Sequence, residues 1–256
     1  MLLNSEEYAA MFNVEENLWW YKILHERVLI EVNAFAKNDK SIKILDAGCG
    51  TGGLMLKLKN QGFESVCGFD FNDDAVEFSN SRNLDVTKKD ITDLNGAYPI
   101  ASFDIIISDD VLYQFDDITI QETISGIGKF LKPGGIFITN NQAFPIFSGT
   151  HDIAVGAKKR FVLSDFQGYL KESPDLKIAK STYWSLMLSP LILAVRLIQK
   201  IKLKMGLVNM DNIKSDVAMP SNFINQIFFS ICNLERKILP KSPFGSSLFL
   251  VIKKEK

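Results

Sequence analysis

The hydrophobic pattern of this 256-residue chain changes period several times. Across 6–37 apolar residues recur three and four apart, most clearly in the run Asn17-Leu-Trp-Trp-Tyr-Lys-Ile-Leu-His-Glu-Arg-Val-Leu29, and the spacing predicts a helix. The stretch 41–46 then switches to a short β-branched run that stops at a glycine cluster, and 54–60 returns to helical spacing. A second strand is expected at 65–70, followed by a helix that starts at Asn72, Asp73 or Asp74 and reaches Ser81. A weak third strand is expected at 84–88 and a strong fourth at 103–108. The helical pattern of 118–131 ends in Lys132-Pro133-Gly134-Gly135, which predicts a turn before a fifth strand at 135–139.

Strands alternating with helices at this spacing imply βαβ units, hence an α/β, doubly wound, Rossmann-like parallel sheet with right-handed crossovers. After Asn141 the alternation stops. A short helix is expected at 164–169, a strand at 176–183, an apolar stretch with a basic end at 184–206, a turn-rich stretch at 211–220, a helix at 221–239 and a last strand at 246–253. There is no internal repeat.

With 46% hydrophobic and 23% charged residues the composition is that of a folded globular chain, not of a disordered tail or a small disulfide scaffold. Net charge is −1, which hides an asymmetry. Residues 1–150 carry 12 Lys and Arg against 22 Asp and Glu, a net of −10, while 151–256 carry 17 against 8, a net of +9. The basic half favours an anionic substrate or surface. Cys49, Cys67 and Cys232 are too few and too widely spaced for a disulfide framework or a zinc site, and no metal is expected. The acidic start, without an apolar run behind basic residues, does not read as a signal peptide, so a cytoplasmic protein is expected.

The chemistry concentrates at Asp46-Ala-Gly48-Cys49-Gly50-Thr51-Gly52-Gly53, which follows a strand and opens a helix. Glycines there let the backbone turn tightly against a ligand beside the free N–H groups of a helix start. Gly48, Gly50 and Gly53 fit the G-x-G-x-x-G of a dinucleotide site. Asp46, Gly48, Gly50 and Gly52 fit D-x-G-x-G-x-G, in which a carboxylate at the strand end suits a ligand carrying an ammonium and a sulfonium. Asp70, closing the second strand, can accept both ribose hydroxyls in either case.

In this order the segments resemble the class I S-adenosylmethionine-dependent methyltransferases over about residues 40–140: ILDAGCGTG, GFDFN, KKDITDL, SFDIIISDDVLYQFDD and FLKPGGIFIT. ENLWWYKILHERVL, FSGTHDIAVGAKKRF and LPKSPFGSSLFLVIKK extend the likeness to a group, similar to methyltransferase types 11 and 12, often associated with glycan or natural-product pathways. The resemblance implies a seven-stranded sheet in which one of the last two strands is antiparallel. It also implies a helical lid over 1–40, a cofactor-binding core over 41–145, and an acceptor-binding cap with the final strands over 146–256. It implies S-adenosylmethionine as cofactor, held by Asp46, Gly48, Cys49, Gly50, Thr51, Gly52, Asp70 and Phe71, with Asp90 and Ile91 flanking the adenine and Asp110 and Val111 at the fourth-strand edge. Trp20 and Tyr21 would cover the nucleoside from the lid.

The group's usual D-V-L-x-H reads Asp110-Val111-Leu112-Tyr113-Gln114 here, with glutamine in place of histidine. His151, beside Asp152, is the remaining candidate base near that edge, and His151, Asp152, Arg160 and Gln114 are the candidate acceptor contacts. His25 reads as a surface or capping histidine, and Lys158, Lys159 and Arg160 as solvated charge or an anion site. The expected reaction is methyl transfer to oxygen, or secondly nitrogen, of a small-molecule, sugar or lipid-linked glycan acceptor, with no nucleic-acid partner expected. A non-catalytic binder of the same cofactor and an NAD-type oxidoreductase are the alternatives. The stretch 183–206 is too interrupted to span a bilayer; it is expected to be a packed cap helix or an interfacial helix at an anionic membrane surface.

Overall fold

The computed structural model describes residues 5–209, 213 and 215–256. Seven strands form one sheet: β1 (Ile44–Ala47), β2 (Val66–Asp70), β3 (Asp85–Lys88), β4 (Phe103–Asp109), β5 (Leu131–Gln142), β6 (Leu176–Trp184) and β7 (Ser247–Lys254). Their spatial order is β3-β2-β1-β4-β5-β7-β6. Strands β1 to β5 pair in parallel, and β7 runs antiparallel between β5 and β6. The sheet is therefore of the mostly parallel, doubly wound, seven-stranded kind that the pattern predicts.

Its strands are apolar on both faces because both are covered. Ile44, Ile105, Ile107, Phe249 and Val251 belong to one core cluster, while the alternating Leu45, Ile106, Leu248, Leu250 and Ile252 belong to the other. The first cluster lies under α2 (Trp19–Ala36), α3 (Gly53–Asn60) and α9 (Asn222–Ile238). The second lies under α5 (Asp117–Phe130) and α7 (Leu163–Tyr169). Helix starts follow the expected cap chemistry: Asn72 accepts from the N–H groups of Asp74 and Ala75 to open α4 (Asp73–Ser81), and Asp116 accepts from Thr119 N–H to open α5.

Three expectations change. The N-terminal helix is two helices, α1 (Ser5–Val14) and α2, because the intervening Glu15 turns inward to partners far along the chain. Residues 132–135 do not end the pairing; they form a bulge opposite Asp104 while β5 continues. At its other end β5 runs past 139 to Gln142, through a buried polar run of Asn140, Asn141 and Gln142. The apolar stretch resolves into the end of β6 and α8 (Ser189–Lys204); part of the turn-rich 211–220 and the first four residues of the lid lie outside the described residues.

Candidate functional site

The strand order reverses between β1 and β4, and a cavity of about 660 Å³ opens at their carboxyl ends, where open α/β sheets bind ligands. At the end of β1 the chain turns through Gly48 (φ +81°) and Gly50 (φ +54°). A Cβ on Gly48 would lie 2.5 Å from the Val111 side chain, whereas at Gly50 it is the left-handed φ that favours glycine, since a Cβ there would meet only the flexible end of Met11 of α1, at 3.0 Å. The loop is pinned from β2: Gly50 N–H donates to Asp70 Oδ2 at 2.9 Å, and Asn72 N–H donates to Asp70 Oδ1 at 3.0 Å. Tyr8 of α1 donates to the same Oδ1 at 3.4 Å, which places the lid directly over this carboxylate.

The cavity floor is acidic. Asp46 is 3% exposed and has no hydrogen-bond partner among the described residues; burial, then the neighbouring Asp70 and Glu15, push it up to about 7. Burial also raises Asp70, against the N–H groups that hold it ionised. Asp109 Oδ2 is buried and unpartnered, and burial followed by Asp110 and Asp46 holds that acid well above the usual range. Asp110 is up at about 7 through burial, although Asn140 Nδ2 donates to it at 2.6 Å. Asn140 organises this edge: its N–H donates to Asp109 Oδ1 at 2.7 Å, its carbonyl accepts from Asp110 N–H at 2.8 Å, and its side-chain oxygen accepts from Trp184 Nε1 at 2.9 Å. Buried carboxyls facing a cavity without a cation between them are suited to a ligand that supplies one.

Of the expected cofactor contacts, Asp46, Gly48, Cys49, Gly50, Asp70, Phe71, Asp90, Ile91, Asp110, Val111, Trp20 and Tyr21 all line the cavity. Thr51 and Gly52 do not. Thr51 is fully buried and donates its hydroxyl to Glu15, and Gly52 backs onto Leu84 and Ser79 while it starts α3. Asp90 spends one carboxylate oxygen on Thr92 N–H and Oγ1, both at 2.8 Å.

On the cap side, His151, Arg160 and Gln114 line the cavity and Asp152 does not. Asp152 caps the short helix α6 (Thr150–Ala154) by accepting Gly149 N–H at 2.9 Å, and it pairs with Arg160 at 2.6 Å. Despite the cost of burial, that guanidinium holds Asp152 below the usual carboxylate range. His151 is lowered by burial, against the nearby Asp216. Its Nδ1 accepts Asp216 N–H at 3.1 Å, so the ring proton resides on Nε2, 3.4 Å from the Gln142 amide, whose Oε1 is otherwise buried without a partner. Turning that amide pairs Gln142 Oε1 with His151 Nε2–H. The ring is thus arranged to donate a hydrogen bond, which favours binding over proton abstraction. Lys159 is tied to Asp117 and Asp165, away from the cavity.

Several wall residues had no signal in the sequence. His25 is buried on α2, faces the cavity and is driven by burial down to about 3, instead of lying on the surface. Glu15 joins lid to loop: it accepts from Thr51 Oγ1 and, at 3.2 Å, from Gly53 N–H, and it pairs with Arg82. Arg196 of α8 reaches Asp216 and also borders the cavity.

The profile of a methyltransferase domain family matches residues 38–184. Among curated relatives, the tRNA N(3)-cytidine methyltransferase METTL2 of Danio rerio is 32% identical over 125 residues, 44% of this chain and 34% of its own length. The chain spans 34–40% of the length of the curated relatives it matches. A SAM-dependent methyltransferase from Archaeoglobus fulgidus has a similar structure, with a TM-score of 0.53 at 18% identity over 90% of this chain and 94% of that one. The cyclase SpnF gives a TM-score of 0.55 at 16% identity over 90% of this chain and 80% of its own, so likeness of fold at this level does not by itself carry an activity.

Proposed function

The chain belongs to the methyltransferase domain family, and from that premise we propose that it transfers the methyl group of S-adenosylmethionine to an oxygen, or secondly a nitrogen, of a small-molecule, sugar or lipid-linked glycan acceptor. One observation carries the cofactor half of this reading: Asp109 presents a buried, unpartnered Oδ2 and Asp46 a buried carboxyl beside a glycine turn at the switch point of the sheet. A dinucleotide pyrophosphate would meet repulsion there, whereas a ligand with an ammonium and a sulfonium supplies the missing cations. Asp70 would accept from the ribose hydroxyls once Tyr8 gives way, Ile91 would pack the adenine with Asp90 at its edge, and Trp20 and Tyr21 would exclude water from above.

The bound cofactor supplies an electrophilic methyl group on sulfur. This chain's part is to align an acceptor atom with it, and positioning of that kind is worth about 7–11 kcal/mol in favourable cases. Arg160 and Arg196 border the cap end of the cavity, each paired with a carboxylate (Asp152 and Asp216), and an acceptor that carries an anionic or hydroxyl-rich group could exchange into these pairs.

The test is calorimetric titration with S-adenosylmethionine, S-adenosylhomocysteine and NAD, on the wild type and on Asp70→Ala. Micromolar binding of the first two, weakened at least about tenfold in the variant by loss of two charge-assisted hydrogen bonds, is the expected result. Binding of NAD alone would refute the proposal. Transfer of labelled methyl to an acceptor panel then separates an enzyme from a non-catalytic binder.

A further inference from the structure

Helix α8 is built inside out. A helix at a protein surface ordinarily turns its apolar stripe to the core and its charges to water. Here the side facing the body, beside Ile192 on the core, carries polar residues: Arg196 is buried and pairs with Asp216, Gln199 accepts from Thr150 N–H at 3.3 Å, and Lys200 Nζ donates to the Ile146 carbonyl at 3.2 Å. The opposite side exposes Leu191, Val195, Leu197, Ile198, Ile201 and Met205, with Leu197 at 61% and Met205 at 66%. These positions recur three and four apart, so they form one continuous stripe along the helix. Helix α9 packs Phe228, Phe229, Ile231 and Cys232 on the core and ties Asn225 to Trp19 N–H and Asn17 O, yet it still exposes Phe223, Ile227, Leu234 and Ile238. Ile192 of α8 and Phe228 of α9 both line the cavity, so the two exposed stripes lie outside its cap wall.

Charge decides what covers this face. Between Asp175 and Asp211 the sequence has no acidic residue and six basic ones, of which Lys177 and Lys180 lie on β6, Arg196 and Lys200 face the body, and Lys202 and Lys204 belong to the outer side of α8. Lys202 and Lys204 are exposed beside the apolar stripe, and Lys237 is exposed at the end of α9. A second copy of the chain on the same face would bring like charges together, whereas anionic headgroups over an apolar layer complement both features. No helix among the described residues is long and apolar enough to cross a membrane, so the contact is with the surface of the bilayer. We propose that the outer faces of α8 and α9 dock on an anionic lipid surface, with the apolar stripe in the interfacial layer and the lysines at headgroup level. The docked orientation turns the cap wall of the cavity toward the membrane, where a lipid-borne acceptor would approach it.

The experiment is flotation of the full chain with vesicles of phosphatidylcholine alone and of phosphatidylcholine containing phosphatidylglycerol, at low and at high salt, beside light scattering without lipid. The expected result is salt-sensitive binding to the anionic vesicles only. Ile198→Asp with Ile201→Asp should abolish it, and Lys202→Gln with Lys204→Gln should weaken it about thirtyfold, at about fivefold per lysine removed. All four positions are at least partly open to solvent, so thermal midpoints should match the wild type and exclude misfolding as the cause. Absence of binding, or equal binding to both vesicle types, would overturn the proposal. So would a dimer in solution that the Ile198→Asp, Ile201→Asp variant dissolves, because a second copy would then be what covers the face.

Discussion

At the residue scale, the acids of the cavity floor make stability and ligand binding respond oppositely to pH. Asp46 stands at about 7 in the folded chain against an ordinary 3.8. An acid raised by folding binds its proton more tightly in the native state, so its stabilising contribution is complete below about pH 4 and is lost as pH rises through about 7. The ligand-free protein should therefore melt at lower temperature at about pH 7.5 than at about pH 5.5, and Asp46→Asn should flatten that slope. Asp110, raised to a similar value, leaves a residual slope in the variant. A cationic ligand favours the ionised acids, so its affinity should rise over the same window. Melts of Asp46→Asn as steep as the wild type would show that this carboxyl does not titrate there.

At the element scale, the lid is held to the glycine turn by one buried carboxylate. Glu15 and its partner Arg82 are 4% and 8% exposed at their side chains. Removing one member of such a pair leaves the other charge buried, which costs about 3–5 kcal/mol; Arg82 keeps Glu16 and the Thr51 carbonyl, so the lower end applies to Glu15→Ala. Urea unfolding should show this loss, and a variant within experimental error of wild type would show that α1 is not anchored through Glu15. The same pair explains what the sequence could not disclose. Strands β1, β2 and β4 were legible because their apolar runs stop at glycine or acid, and the loop because D-x-G-x-G-x-G has few other uses. The break between α1 and α2 was not, because Glu15 looks like a solvated helix residue until Thr51 and Arg82, 36 and 67 positions on, are brought to it. Likewise Asn140 and Gln142 read as the end of a strand, since their partners Asp109, Asp110, Trp184 and His151 come from other elements. His25 and the inward polar side of α8 were hidden for the same reason: local pattern reports which residues are polar, and only tertiary partners determine which way they face.

At the scale of the whole molecule, the cavity is closed by a lid whose second helix, α2, packs on α9 of the cap, while its first, α1, is held more lightly. Tyr8 is the sole buried residue of α1. Besides the Glu15 anchor at its end, α1 is held by Tyr8 on Asp70, by Ser5 on Asp74 at 2.5 Å, by Phe12 stacked on Phe78 at 4.7 Å beneath the Arg82 guanidinium, and by Glu7, which accepts Ser215 N–H of the cap at 3.1 Å. An element with so little buried surface opens locally at a cost well below global unfolding. A ligand bound beneath it contacts the closed state only, so at a concentration of 100 Kd it adds about 2.7 kcal/mol to closure and to global stability alike. With S-adenosylhomocysteine at that level the thermal midpoint should rise by about 5–10 °C for a chain of this size. Amide exchange along α1 should slow by up to about a hundredfold, while the amides of α7, on the opposite face of the sheet, should change only where they exchange by global unfolding. A rise in midpoint with unchanged exchange in α1 would mean that the ligand sits in the sheet cleft without engaging α1, and the closing role of Tyr8 over Asp70 would then fall with it.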